Sequence, residues 1–165
     1  MGLDIGVYKT MRKLSVKEYE EEGGYKVAEN FTEQAKSLNS RSFYEPMDEL
    51  FSFRAGSYSG YNQWRLLLCK FAHGVDINTY WDDNEKYKGS PFRELIYFSD
   101  CEGVIDSEVS EKLYHDFVDG EEKVLKKLKD NYGVDYYAGM FRKTYNDFKE
   151  AFKLASENKG FVVFH

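Results

Sequence analysis

Apolar and polar residues alternate at the amino terminus, where Leu3, Ile5 and Val7 are separated by Asp4, Gly6 and Tyr8. A period of two marks a half-buried strand, so residues 3–11 are expected to form one. Lys17–Glu22 is a charged run closed by Gly23-Gly24 and reads as a surface turn. Residues 25–29 suggest a second strand, 31–39 a short helix or loop, and 50–54 a short strand. The period then changes. Tyr61, Trp64, Leu68 and Phe71 recur at steps of three, four and three, which puts them on one helical face. Ser57 or Ser59 is the natural N-cap of that helix, and Gly74 its end. Residues 75–90 are polar around WDDNEKYKGS and read as a loop, followed by a short turn of helix or strand in PFRELIYF. SDCEGVID is a further loop.

Ser107 is positioned to cap the next helix, with Val109, Leu113 and Phe117 inward. Asp119-Gly120 is expected to interrupt it, and Glu121–Lys129 to continue it with Val124 and Leu128 inward. Asp135 caps the longest helix, 136–158, whose apolar stripe is Phe141, Tyr145, Phe148, Phe152 and Ala155. Gly160 stops it. Residues 161–165 form a terminal apolar strand suited to pair with the first. The fold class is therefore α+β. A single domain, 1–165, is expected to hold a small, mostly antiparallel sheet with N- and C-terminal strands, packed by about four helices.

Composition narrows the function. The chain has 165 residues, enough for one sizeable core. Aromatics reach 18%, with 14 Tyr and 13 Phe. Tyrosine builds cores but also lines pockets and interfaces, so a homo-oligomer is expected where aromatics line a shared surface. The net charge of −6 argues against DNA or RNA polymers, which need a basic face. It leaves room for a small anion held by a few local donors. Two cysteines, Cys69 and Cys101, make neither a zinc pattern nor a disulfide framework, and suit reduced thiols in a cytosolic protein. No segment approaches the roughly 18 apolar residues of a membrane span. Met1-Gly2 is not an acylation signal, because position 6 is Gly rather than Ser or Thr. No metal spacing, P-loop, dinucleotide fingerprint or nucleophile elbow occurs, so no cofactor or metal is expected.

Two segments carry candidate chemistry. In FRAGSYSGYNQW a strand meets a helix through Gly56 and Gly60. The first amides of a helix carry partial positive charge and suit a phosphate. Arg54 and Arg65 add charge, Ser57 and Ser59 hydroxyls and Asn62 an amide, while Tyr58, Tyr61 or Trp64 can stack on a base. The same residues equally suit a plain capped helix start with Tyr61 and Trp64 in the core. The second segment, Ser99–Asp106, resembles half a calcium loop. Setting Gly103 at the sixth position of an EF-hand places Phe98 first and Val109 twelfth, so the first ligand and the bidentate acid are missing. Asp100 and Glu102 remain as acceptors for ligand hydroxyls or amines, as an acid–base pair, or as an acidic turn beside a buried Cys101. Among the histidines, His73 falls at a helix C-terminus, where positive charge is favoured, and His115 is expected to be exposed. His165 can line a pocket or fray.

MGLDI, FRAGSYSGYNQWR, PFRELIYFSDCEGVI and FVVFH together resemble a family of small phage, prophage and bacterial proteins. Residues 18–49 and 75–90 lie outside that resemblance, and Gly is expected where this chain has Asp106. The resemblance implies a setting rather than an activity: a phage protein in a bacterial host, of the size of counter-defence proteins that sequester cyclic-nucleotide signals. The leading expectation is thus a non-enzymatic binder of a nucleotide-like anion at Arg54, Ser57, Tyr58, Ser59, Gly60, Tyr61, Asn62, Trp64, Arg65, Asp100, Glu102 and His165. The alternatives are a metal-assisted hydrolase or phosphodiesterase using Asp100, Glu102 and His165, and an acidic inhibitor of a host protein using WDDNE.

Overall fold

The computed structural model describes residues 2–165; Met1, and with it the Met1-Gly2 pair considered above, lies outside the described residues. The sheet is built on one long antiparallel hairpin, β1 (Leu3–Leu14) with β3 (Phe43–Gly56). The carboxy-terminal strand β5 (Phe161–Phe164) pairs with β1 on its other side, from Ile5↔Phe164 to Tyr8↔Phe161. The short strands β2 (Tyr25–Lys26) and β4 (Gly103–Ile105) add to β3 and β5. The order is β2-β3-β1-β5-β4, with every pairing antiparallel. The expected α+β class and the union of the two terminal strands are both present.

Helices α2 (Tyr58–His73), α5 (Ser107–Tyr132) and α6 (Tyr136–Glu157) cover one face of the sheet. Ile5 and Val7 of β1 and Val162 and Phe164 of β5 point at them and are fully buried, as strand alternation requires. Phe148 of α6 is the hub of this core. Its ring centroid lies 5.0 Å from Phe53, 5.0 Å from Trp64, 5.8 Å from Tyr61 and 6.0 Å from Phe164. The high aromatic content is thus largely spent on the interior. Among the described residues no helix is long and apolar enough to cross a membrane.

Several expectations need correction. Residues 16–22 form a helix, α1 (Val16–Glu22), rather than a turn. Ser15 Oγ accepts from Glu18 N at 3.2 Å and Glu18 Oε2 from Ser15 N at 2.8 Å, a reciprocal cap. These bonds, with Arg12, hold the Glu18 carboxyl down at about 2. β1 runs on to Leu14, β3 begins seven residues before Leu50, and β2 stops at Lys26. A further helix, α3 (Ile77–Asp82), lies inside the expected polar loop, with Ile77 and Tyr80 buried. PFRELIYF holds the single turn α4 (Arg93–Ile96), and SDCEGVID holds β4. The cap of α5 is Asp106, not Ser107: Asp106 Oδ1 accepts from Val109 N at 3.1 Å, and Oδ2 accepts from Ser37 N at 3.0 Å. Asp119-Gly120 leaves α5 unbroken, and Gly120 makes room for the buried Phe92 ring, whose Cζ would lie 3.0 Å from a Cβ there.

The far half of the hairpin reaches past the helix layer. It is closed by Tyr19 stacked on Phe43 at 4.0 Å and by a small core of Val27, Ala35 and Tyr44. Residues 27–42 then run back as a strap over the sheet's edge. A short 3-10 helix (Glu29–Phe31) begins it, and Asp106 N donates to Gln34 O at 2.8 Å to fasten it.

Gly160 turns the chain from α6 into β5, and a Cβ there would sit 2.3 Å from the Tyr8 carbonyl oxygen. Gly160→Ala is expected to cost about 2–3 kcal/mol, because backbone of β1 and β5 must separate. Gly139 lies exposed in α6 with no atom within 4 Å of an added Cβ. Gly139→Ala is expected to gain about 0.5–1 kcal/mol from helix propensity. Urea denaturation of the two variants checks both signs.

Candidate functional site

The FRAGSYSGYNQW stretch folds as a capped helix start. Ser57 Oγ accepts from Gly60 N at 3.0 Å and lies 3.2 Å from Ser59 Oγ. Ser57, Ser59 and Gly60 are exposed, and Tyr58 is half-buried against the core. Arg54 does not turn toward the helix. It stands opposite Asp4 in the β1–β3 register, and its Nη1 donates to both Asp4 carboxylate oxygens at 3.1 and 2.9 Å. Tyr61 is fully buried and Trp64 is 5% exposed, with Trp64 Nε1 donating to the Phe141 carbonyl at 3.3 Å. Both rings belong to the core, so the stacking role expected for them is corrected: no base reaches them.

Asn62, Arg65 and Asp100 do come together, and with them the two long motifs. Arg65 Nη1 donates to the Phe98 carbonyl and Nη2 to Asn62 Oδ1, while Asn62 Nδ2 donates to the Asp100 carboxylate. Arg65 is 5% exposed, its Nε is buried without a partner among the described residues, and its guanidinium lies 5.5 Å from both the Tyr61 and the Trp81 ring centroids. A buried cation is tolerated when its N–H groups find acceptors and its faces find π-density. Arg65 is therefore a clamp that fastens residues 98–100 onto α2, and its charge is spent inside the protein. Asp100 is committed to the same clamp.

Glu102 lies elsewhere, in a cleft where the strap faces the 99–104 loop. Ser99 Oγ accepts from Cys101 N at 3.2 Å and Glu102 N at 3.1 Å, which folds the loop tightly. Cys101 is exposed at this turn rather than buried; the sealed thiol is Cys69, whose burial pushes it up to about 12. The cleft encloses about 260 Å³ and is lined by Lys26, Val27, Phe31, Cys101, Glu102 and Val104. An open hollow of about 480 Å³ shares Lys26 and Glu102 and reaches Arg41, which pairs with Glu29. Among the described residues Lys26 has no carboxylate within ion-pair distance. Beside it the Tyr25 ring meets His165 edge-on at 6.0 Å. Burial, aided by Tyr8 and Glu102, pushes the Tyr25 hydroxyl up to about 12, so it stays protonated. His165 is exposed, while its backbone exchanges hydrogen bonds with Asp4 at 2.8 and 3.0 Å.

Of the residues singled out from sequence, the cleft thus contains Glu102, with His165 beside it. Lys26, Phe31 and Cys101, which also line it, were not among them. Residues 25–31 carry no motif, and only the strap's path brings them to the SDCEG loop. Among the described residues no three His, Cys, Asp or Glu side chains gather as a metal site. The acids of WDDNE lie exposed on α3 and the loop after it. The chain matches no protein-family model, no curated protein and no solved structure in the comparisons made.

His73 ends α2, but burial rather than the helix terminus governs its ring. The ring packs 4.8 Å from Tyr80, and Nε2 lies 2.8 Å from the Pro91 carbonyl, to which it donates. Burial lowers its pKa below the ordinary 6.5, with Lys123 and Lys112 adding to the shift against Pro91 and Asp116. The unfolded chain then binds the proton more readily than the fold. Stability is full above about pH 6.5 and is lost as pH falls toward the folded value. His73→Gln is expected to flatten that dependence as pH falls below about 7 in thermal melts. Arg65→Lys is expected to cost about 2–3 kcal/mol, because a lysine cannot reproduce the planar fork. Arg54→Ala, which breaks an exposed pair, is expected to cost less than about 1 kcal/mol in the same denaturation series.

Proposed function

We propose that the protein is a non-enzymatic binding protein for a small nucleotide-like anion, held in the cleft between the strap and the 99–104 loop. The observation that carries this reading is the unpaired Lys26 beside aromatic side chains and a carboxylate in one concave site. A phosphate would sit at Lys26, with Arg41 at the open end of the hollow. Phe31 offers an apolar face for a base, and Glu102 accepts from ribose hydroxyls or base amines. Phosphate and Glu102 repel, so the ligand must be long enough to keep them apart.

The resemblance to phage and prophage proteins supplies the setting of this proposal. The ligand would be a cyclic-nucleotide immune signal, sequestered intact in the bacterial cytoplasm. The aromatic surface available to a homo-oligomer is the crest of Val134, Tyr136, Tyr137 and Met140 at the α5–α6 turn.

A thermal-shift screen against mono-, di- and cyclic nucleotides, with and without magnesium, tests the proposal. A ligand at about a hundred times its Kd should raise the melting temperature by roughly 5–10 °C. Mass spectrometry should recover it unchanged. Lys26→Ala should weaken binding at least about tenfold, as loss of a charge-assisted contact does, and Arg54→Ala should leave it intact. No shift with any nucleotide, a converted ligand, or full binding by Lys26→Ala would each overturn the reading.

A further inference from the structure

A second cavity, on the other side of the strap, is more polar and more completely built. It encloses about 180 Å³ and is lined by Glu33, Gln34, Asn84, Arg93, Glu94 and Tyr97. Arg93 is 9% exposed. Its Nη1 donates to the Asn84 carbonyl at 3.2 Å and its Nη2 to Asn84 Oδ1 at 2.6 Å, and the guanidinium lies 4.5 Å from the Tyr97 ring centroid. Tyr97 is itself fixed, its hydroxyl donating to the Tyr80 carbonyl at 2.7 Å. A guanidinium has five N–H groups, so three of Arg93's remain uncommitted. The carboxylate facing it, Glu33, stands off at 4.0 Å.

Gln34 is the second unusual group. It is 4% exposed, and its Nε2 donates to the Glu94 carbonyl at 3.4 Å. Its Oε1 is buried with no hydrogen-bond partner. Turning the amide over would bring its oxygen against the Glu94 carbonyl and would not repair this. An acceptor without a donor costs free energy, and an occupant whose N–H or O–H reaches it recovers that cost. Glu94 pairs with Lys112 at 2.7 Å, a cation it shares with Asp116 at 2.8 Å. The cavity wall thus carries one cation, Arg93, and two carboxylates, Glu33 and the partly paired Glu94.

We infer that this cavity is a binding site for a small zwitterion of the α-amino acid type. The carboxylate takes the free edge of the Arg93 guanidinium, and the ammonium donates to Gln34 Oε1 and Glu33. A neutral but dipolar ligand suits a wall of opposite charges better than a lone anion or cation. At about 30 Å³ per water the space holds about six water-sized groups, the bulk of glycine, alanine or serine. Asn84 and the Tyr97 ring hold Arg93 in place before any ligand arrives, which reduces the ordering cost of binding.

Thermal shift and calorimetric titration of the full chain with glycine, L-alanine and L-serine test the inference, with glycine betaine, acetate and methylammonium as controls. The three amino acids should bind saturably, and the controls, each lacking the N–H donor or one charge, at least about tenfold more weakly. Gln34→Met keeps the side chain's bulk and removes the acceptor, and should weaken amino-acid binding about tenfold. Glu33→Gln, at a mostly exposed position, should weaken it without disturbing the fold. Absence of binding by all three amino acids would mean that water alone fills the cavity, and would overturn the site. Binding unchanged in both variants would overturn it equally. The Lys26→Ala variant, altered on the other side of the strap, should bind amino acids normally.

Discussion

A buried guanidinium is tolerated when most of its donors are answered, and the placement of the 98–104 loop follows from how the two terminal nitrogens of Arg65 are answered while Nε stays buried without a partner. One face of its fork takes the Phe98 carbonyl, the other takes Asn62, and Asn62 in turn takes Asp100. Two stretches more than thirty residues apart in sequence are thereby locked at one point. From that point α4 precedes the loop and β4 follows it, so the clamp fixes how β4 enters the sheet beside β5. The arrangement depends on burial: the same hydrogen bonds in open water would contribute little.

The cleft is a consequence of that lock and of the strap. The long β1–β3 hairpin outruns the helix layer, and its far half is polar on most of its surface. It becomes ordered because α1, Tyr19 and the strap give it a small core of its own. Returning to the body, the strap is held by Asp106, which caps α5 with one carboxylate oxygen and binds Ser37 N with the other. One buried carboxylate thus ties a helix start to a remote loop. Between the strap and the clamped loop a cleft remains, lined by Lys26 and Glu102, and the Lys26 ammonium, without a carboxylate partner among the described residues, lies 5.8 Å from the Phe43 ring centroid.

The elements that sequence reveals are those with one clean period. Leu3, Ile5 and Val7 announce β1, and the 61–64–68–71 spacing announces α2. Ser57 and Asp135 are caps with side-chain bonds in place. Elements whose signal is short or double are missed. Two buried residues, Ile77 and Tyr80, are too few to declare a helix within a charged run. Asp106 and Ser107 are adjacent good caps, and sequence alone does not rank them. Ser15 and Glu18 did carry a capping signature, obscured by the density of charge around it. At the site, residue types were legible and directions were not. Spacing places Arg54 and Arg65 near one helix start, but pairing with Asp4 turns the first outward and the acceptors on Phe98 and Asn62 draw the second in. Lys26 and Phe31 had no local signal, because their role depends on a strap whose path is set by tertiary contacts.

The most direct test is the rate at which iodoacetamide alkylates Cys101 in the folded protein, measured with and without a nucleotide that raises its melting temperature. Cys101 is exposed in the cleft and Cys69 is buried, so the second thiol serves as an internal control for unfolding. The account expects rapid labelling of Cys101 alone in the free protein, slowed at least about tenfold when the nucleotide is bound, as occupancy above about 90% requires. Unchanged labelling of Cys101 at a saturating nucleotide concentration would contradict it, and would return the ligand to some other surface of the protein.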